Sequence, residues 1–408
     1  MTWDKKFAKR TSQMKRSTVR EILKLTAQPD VISFAGGLPA PELFPVERIQ
    51  QAADTVLSER GREALQYSTT EGMPELREWI ARRLSTEQLD VKPENILIVG
   101  GSQQAEDLVA KIFFDEGDSV IVENPTYVGM LTAWRPYLLD FNAVPTDSDG
   151  MQTDELARLL AQKPYKAAYS IPNFQNPQGI SLSYKRRVRL AELLAQYDLP
   201  LYEDDPYGAL RYSGEPLPSV QQVEAVVRGT RSLDDCTTMY AGTFSKTLTP
   251  GLRVGWIAAA FPVIDKLVQA KQAADLHTST INQFIVYEAV RDEGFLDAHV
   301  ARLREVYRER RDLMLRTMDE CFPSEVTWTR PDGGLFLLVT MPEGMDATDI
   351  LKLALEQKVA FVPAEGFYIG DKGKNTFRLN FSNAGPEMIE AGIRRLGALL
   401  KEAVRVTT

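Results

Sequence analysis

An α/β fold is predicted for this 408-residue chain: a mainly parallel sheet flanked by helices, with a smaller α+β domain beside it. Three observations carry that expectation. Short β-branched or apolar strands recur, each followed by a polar turn and then an amphipathic helix, which is the pattern of a parallel sheet covered on both faces. After about Asp297 the pattern changes to a long charged helix, followed by strands mixed with helices. The length of 408 residues is large for one core and suits a large domain with a smaller partner.

The segment before Pro45 reads I-S-F-A-G-G-L-P-A-P-E-L-F-P, too rich in proline and glycine for a helix or a central strand. Residues 1–45 are expected as an arm that crosses the groove between domains and packs beside the smaller one. Residues 46–298 form the expected large domain. In it residues 95–99 read as a strand, Gly100-Gly101-Ser102 as a turn, and the next stretch as a helix with Ala105, Leu108, Val109 and Ile112 on one face. Further strands are expected at 119–122, 166–171, 200–202, 237–241 and 254–259, with a helix at 183–196. In the smaller domain, residues 299–408, a helix over 300–318 leads into strands at 326–329, 334–340 and 376–381.

Composition removes several function classes. Hydrophobic residues at 44% and charged residues at 25% are ordinary for a globular chain, which sets disorder aside. A net charge of −8 argues against nucleic acid as a partner. The locally basic first twenty residues (Lys5, Lys6, Lys9, Arg10, Lys15, Arg16, Arg20) read as a solvated terminal segment. Cys236 and Cys321 are far apart with no C-x-x-C, so neither a disulfide framework nor a thiolate zinc site is indicated, and a reducing cytoplasm fits. His277 and His299 are the only histidines, too few for a histidine-rich metal site, and no metal is expected. No apolar run approaches the roughly 18 residues of a membrane span, and no signal peptide is read.

In an open α/β sheet ligands bind beyond the carboxyl ends of the strands. The residues following the expected strands there are G-G-S-Q, E-N-P-T-Y, P-N-F-Q-N-P-Q-G, E-D-D-P-Y and G-T-F-S-K. Singly, each has a bland alternative: turn dipeptides, an N-cap pair at Asp204-Asp205, partly buried tyrosines at 127 and 207. No G-x-G-x-x-G is present, and Gly373-Lys374 lacks the rest of a phosphate-binding P-loop. Lys246 decides how to combine them. A lysine in small, hydroxyl-rich surroundings suits Schiff-base chemistry. Thr243, Ser245, Arg253 and the helix end at Ser102 can cradle a phosphate. A carboxylate for a ring nitrogen and an aromatic to stack on lie at the same sheet edge. Together these point to pyridoxal phosphate. Thr247 and Thr249 are left as turn residues.

On these residues the chain resembles the fold-type I aminotransferases, most of all the 2-aminoadipate and aromatic/kynurenine branch. The resemblance runs from T-V-R-E-I-L-K-L at Thr18 to the C-terminal helix. Its most specific blocks are S-F-A-G-G-L-P-A-P-E-L-F-P, L-Q-Y-S-T-T-E-G, G-S-Q-Q-A, F-Q-N-P-Q-G, E-D-D-P-Y, F-S-K-T-L-T-P-G-L-R-V-G and A-D-L-H-T. It implies that Lys246 carries the cofactor as a Schiff base and shuttles the substrate's Cα proton. Asp204 would pair with the ring nitrogen, Tyr207 and Asn176 would meet the phenolic oxygen, and Tyr127 would stack on the ring. Gly101, Ser102, Gln103, Thr243, Ser245 and Arg253 would form the phosphate cup, completed by Tyr67 of the neighbouring subunit in a homodimer. Arg378, with Asn176 and Gly37, would receive the substrate. Arg20 lies on a helix opened by Thr18-x-x-Glu21. It is either a solvated arginine or, by resemblance, the partner of an acidic substrate side chain. Thr243 stands where a serine is more usual, and Gln178 replaces the common threonine of N-P-T-G.

The expected reaction is ping-pong transfer of an amino group from 2-aminoadipate, or from an aromatic or branched-chain amino acid, to 2-oxoglutarate. Two alternatives are carried: a lyase or oxidase on the same scaffold, and a non-catalytic aminotransferase-like ligand-binding protein. The latter is disfavoured because only 32 residues precede Ser33, too few for the winged helix of regulators with such a domain.

Overall fold

The structure, a computed structural model, describes residues 3–14, 30–292 and 294–407. In chain order its strands are β1 (Ile32–Ser33), β2 (Ile96–Val99), β3 (Ser119–Asn124), β4 (Asp140–Asp147), β5 (Gly150–Met151), β6 (Ala167–Ser170) and β7 (Leu201–Asp204). There follow β8 (Thr238–Thr243), β9 (Gly255–Ala258), β10 (Thr327–Trp328), β11 (Phe336–Thr340), β12 (Val359–Ala360), β13 (Val362–Pro363) and β14 (Thr376–Asn380). Eight of them make one sheet in the order β2-β9-β8-β7-β6-β3-β4-β5. From β8 to β4 neighbouring strands are parallel. β9 runs against both of its neighbours, and β5 against β4. The strands β2, β6 and β7 are buried along their whole length. With helices on both faces, the central strands have no solvent side, so they read as unbroken apolar runs.

The expected α/β class is therefore present, and the foreseen strands lie within a few residues of where the sequence puts them. The pair β4–β5 was not foreseen. Its sequence D-F-N-A-V-P-T-D is polar and carries Pro145. It lies at the margin of the sheet, mostly half-buried, where apolar patterning and a full set of backbone donors are not demanded.

The reversed strand β9 has a direct consequence for chemistry. Because it is antiparallel to β8, the β8–β9 connection starts and ends at the edge where the parallel strands finish. Lys246, just after β8, and Arg253, just before β9, are thereby returned to one place.

A second sheet, antiparallel in the order β10-β11-β14-β13, forms the smaller unit. Register places Arg378 opposite Leu338 and Val362, in the middle of this sheet. The arm before Pro45 joins it: β1 pairs in parallel with β12 (Ile32 with Val359, Ser33 with Ala360), and the Phe34 carbonyl accepts from the Asn380 amide at 2.9 Å. The long helix Phe295–Cys321 fixes the arm further on, where the Ala40 amide donates to the Tyr307 hydroxyl at 3.0 Å. Among the described residues no helix is long and apolar enough to cross a membrane, and no group of three or more His, Cys, Asp or Glu could hold a metal ion.

Candidate active site

Three consecutive acids, Glu203 and Asp204 at the end of β7 and Asp205 just beyond it, have different tasks in the structure. Glu203 is fully buried and accepts from the Val220 and Gln221 amides, capping the helix Val220–Arg228. Asp205 accepts from the Asn173 amide, the Tyr240 hydroxyl and the Gly208 backbone, so it is spent on holding the loop. Asp204 is equally buried, yet only its Oδ2 is occupied, by the Tyr169 hydroxyl at 2.8 Å; its Oδ1 has no partner. Burial pushes this carboxyl well above its ordinary range, Tyr169 draws it partly back, and Asp205 adds a further upward push. A buried, half-satisfied carboxylate calls for a cationic or N–H partner.

Beside it lies a cup of donors. Gly101 caps the helix Ser102–Phe113 with φ 97°, and a Cβ at Gly101 would sit 2.3 Å from Arg253 Nη2. Only glycine admits both that backbone conformation and the guanidinium pressed against it. Arg253 itself donates from Nη2 to the Gly100 carbonyl at 3.0 Å and faces the Ser245 hydroxyl. Thr243 and Ser245 hydroxyls are 3.0 Å apart, and the Ser245 amide donates to Thr243 Oγ1. The free backbone N–H groups at the start of the helix complete a ring suited to a phosphate. Gln103 contributes its backbone to this turn. Its side-chain amide is turned away, donating to Glu106 Oε2 and to the Gly129 carbonyl.

Lys246 reaches across the opening and donates from Nζ to the Gly37 carbonyl at 2.8 Å. Burial, with Arg378 and Arg253 nearby, lowers its pKa to about 8, so a neutral amine is within reach. Arg378 is buried, with Nη1 on Asn176 Oδ1 and Nη2 on the Ala35 carbonyl, both at 2.8 Å; its Nε has no partner. Its guanidinium lies 4.1 Å from the centre of the Phe336 ring. Asn176 also hydrogen-bonds Tyr207, whose ring meets Phe336 edge-on. The loop that carries Asn176 is pinned by the buried Arg187, which donates to the Pro172, Leu182 and Pro218 carbonyls and to Asn173. Gly129 leaves room for the Tyr127 ring, which a Cβ there would meet at 2.4 Å. Gln178 acts within the turn: its side chain accepts from Thr146 at 2.8 Å.

The structure thus gathers Gly101, Ser102, Tyr127, Asn176, Asp204, Tyr207, Thr243, Ser245, Lys246 and Arg253 at one edge of the large sheet, and brings Gly37 of the arm and Arg378 of the smaller sheet against them. Tyr67 stands apart: it is 79% exposed, touching only His277 edge-on at 5.8 Å among ring contacts. Arg20 and the helix expected from Thr18-x-x-Glu21 lie outside the described residues. Sequence reasoning passed over Tyr169, Phe336 and Ala35, which hold the selected side chains. Tyr169 sits inside the strand K-A-A-Y-S and looks like any core aromatic. Only its place one residue before the strand's end hints that it reaches the site.

The fold and this site are those of a pyridoxal-phosphate-dependent transferase of fold type I. Residues 29–396 match the family model for aminotransferase class I and II, and the chain belongs to that family. It is 43% identical to a 2-aminoadipate transaminase of Thermus thermophilus over 98% of each chain. It is 42% identical to aromatic-amino-acid aminotransferase 1 of Thermococcus litoralis, over 99% of this chain and 96% of that one. The crystal structure of the α-aminoadipate aminotransferase LysN of Thermus thermophilus, complexed with N-(5′-phosphopyridoxyl)-L-leucine, superposes with a TM-score of 0.92 at 41% identity, covering all of both chains. The chain is a pyridoxal-phosphate-dependent aminotransferase of that branch, which sets the lyase, oxidase and non-catalytic alternatives aside. The residues present fit the cofactor: a phosphate cup shaped around Gly101, an amine able to lose its proton, and an unpartnered buried oxygen on Asp204 for the ring nitrogen.

Proposed function

We propose that this aminotransferase moves the amino group of 2-aminoadipate, or of an aromatic or branched-chain L-amino acid, to 2-oxoglutarate by a ping-pong route. The observation that carries the reading is Arg378. A buried guanidinium with an unpartnered Nε, set between Asn176 and an arene, suits bidentate capture of a carboxylate. The α-carboxylate is the group that every amino donor and every 2-oxo acid share. Bound pyridoxal phosphate supplies an electron sink for the pair left when the Cα proton departs.

Around that sink each residue has a defined task. Asp204 would hold the ring-nitrogen proton, Tyr207 and Asn176 would hold the phenolic edge, Tyr127 would cover the ring face, and the Gly101–Ser102 turn with Thr243, Ser245 and Arg253 would anchor the phosphate. Lys246 would take the Cα proton and return it on the other side of the exchange. Gly37 keeps the arm against the lysine, and residues 299–408 with the arm close over the large domain, residues 46–298. Exposed Tyr67 is read as reaching the phosphate of a second subunit, which makes the homodimer the working form. Arg20 is read as the partner of an acidic donor side chain.

A donor panel with 2-oxoglutarate as acceptor tests the reading. Aminoadipate is expected among the fastest donors, with loss of that preference in Arg20→Ala; a panel in which none of the named donors yields glutamate rejects it. Arg378→Lys is expected to lower kcat/KM for donor and acceptor alike by about 10²-fold, mostly through KM, since an ammonium cannot reproduce the two-pronged charge-assisted contact. Steady-state kinetics on both half-reactions checks this, with unchanged cofactor absorption as the control.

A further inference from the structure

The helix Ser102–Phe113 carries a carboxyl that none of these tasks uses. Glu106 stands four residues after Ser102 and three before Val109, so it falls on the stripe facing the core. Its side chain is completely buried. Oε2 accepts the Gln103 amide at 2.9 Å, and Oε1 has no partner. Trp134 fixes the same turn by donating its indole N–H to the Glu106 carbonyl at 3.0 Å. That indole packs edge-on against Tyr169, the residue that holds Asp204. Two buried carboxyls, each with one free oxygen, therefore flank one aromatic wall, and they interact electrostatically.

Among the described residues, the titratable groups that interact with Glu106 are Asp204 and the hydroxyls of Tyr127, Tyr169, Tyr202 and Tyr207; none of these is a cation. Two carboxylates cannot both stay ionised at such depth without a cation for each. The cofactor's ring nitrogen brings a single positive charge.

We propose that Glu106 works as a neutral carboxylic acid on the Trp134–Tyr169 wall that backs Asp204, a positioning residue whose dipole favours the ionised form of Asp204. Of the pair, Asp204 ionises first, because an aspartate is the stronger acid and its donor, the Tyr169 phenol, is a stronger one than the Gln103 amide on Glu106. Burial first, then the charge of Asp204, pushes Glu106 well above the carboxylate range. No bond is made or broken; the proton stays on Glu106 while the ring nitrogen is received.

The inference rests on Asp204 as the ring-nitrogen partner, so Asp204→Ala is the control. Wild-type cofactor affinity in that variant ends the Asp204 assignment, whatever Glu106 does. The test titrates wild-type, Glu106→Gln and Glu106→Leu apoenzymes with pyridoxal phosphate at pH 8, and compares the infrared spectra of wild type and Glu106→Gln. The wild type is expected to show the carbonyl stretch of a buried protonated acid, absent from Glu106→Gln. Glutamine, the neutral mimic, is expected to bind cofactor within about twofold of wild type, and leucine about tenfold more weakly, the worth of one hydrogen-bonding dipole. Three outcomes each overturn the proposal: no acid band, a glutamine variant as weak as the leucine one, or a leucine variant as tight as wild type. If Glu106→Leu does not fold, the infrared band and the glutamine affinity still decide.

Discussion

Lys246→Ala is expected to lower amino transfer by at least about 10³-fold while leaving the fold and the phosphate cup intact. Two tasks are proposed for the lysine, linking to the cofactor's aldehyde and moving the Cα proton, and alanine performs neither. The side chain reaches over the opening with its amine on the Gly37 carbonyl. It packs no core, so the variant should melt close to wild type. The visible absorption of the lysine-linked cofactor should vanish while phosphate-anchored cofactor is still retained. Retained absorption of the linked form would mean the wrong lysine has been chosen. The pH dependence has a definite sign. An ammonium has no lone pair for the aldehyde, and burial with two neighbouring guanidiniums places the loss of its proton at about 8. Cofactor capture by the wild-type apoenzyme should therefore quicken as pH rises through that value, and stopped-flow reconstitution measures it.

Much of the site was legible because its chemistry sits directly after strands. A parallel sheet presents its carboxyl ends to a ligand, so reading the residue after each apolar run leads to Gly101, Asn176, Asp204 and Lys246 without a structure. Arg253 was legible for a different reason. Its distance from Lys246 matches a tight return, and the reversed β9 brings its guanidinium to the Ser245 hydroxyl beside the lysine. What escaped is the layer that acts from behind. Tyr169 and Glu106 lie within a strand and a helix, where period and burial are governed by packing, and neither falls at an element's end. Glu106 did leave a trace, a charged residue on a stripe shared with Val109. The unforeseen β4 shows the opposite failure: at the margin of a sheet the physical demand for apolar alternation is relaxed, so the sequence carries no strand signal there. Tyr67 illustrates a third limit, because its exposure within one subunit is explained only through the proposed homodimer.

Asp204→Asn should separate activity from stability in opposite directions. The asparagine keeps the shape and still accepts the Tyr169 hydroxyl, but it cannot balance a protonated ring nitrogen. With that charge lost in a desolvated pocket, kcat is expected to fall by about 10²- to 10³-fold, the worth of one preorganised electrostatic contact, and cofactor affinity should fall with it. The apoenzyme should behave otherwise. In the unfolded chain this carboxyl ionises in the ordinary range near 3.9. In the folded one, burial holds the proton until about 7. Between those values the unfolded state binds fewer protons, so stability falls as pH rises through the window and is fully present only below it. Asparagine has no such proton. The variant apoenzyme should therefore resist heat better than the wild-type apoenzyme at pH 8, with the difference closing toward pH 4. Cofactor should narrow the gap at pH 8 by giving the wild-type carboxylate its cation. Melting curves of both proteins, with and without pyridoxal phosphate at the two pH values, measure it. A variant less stable than wild type at pH 8 without cofactor would show that the free oxygen of Asp204 is not the strained feature its burial makes it.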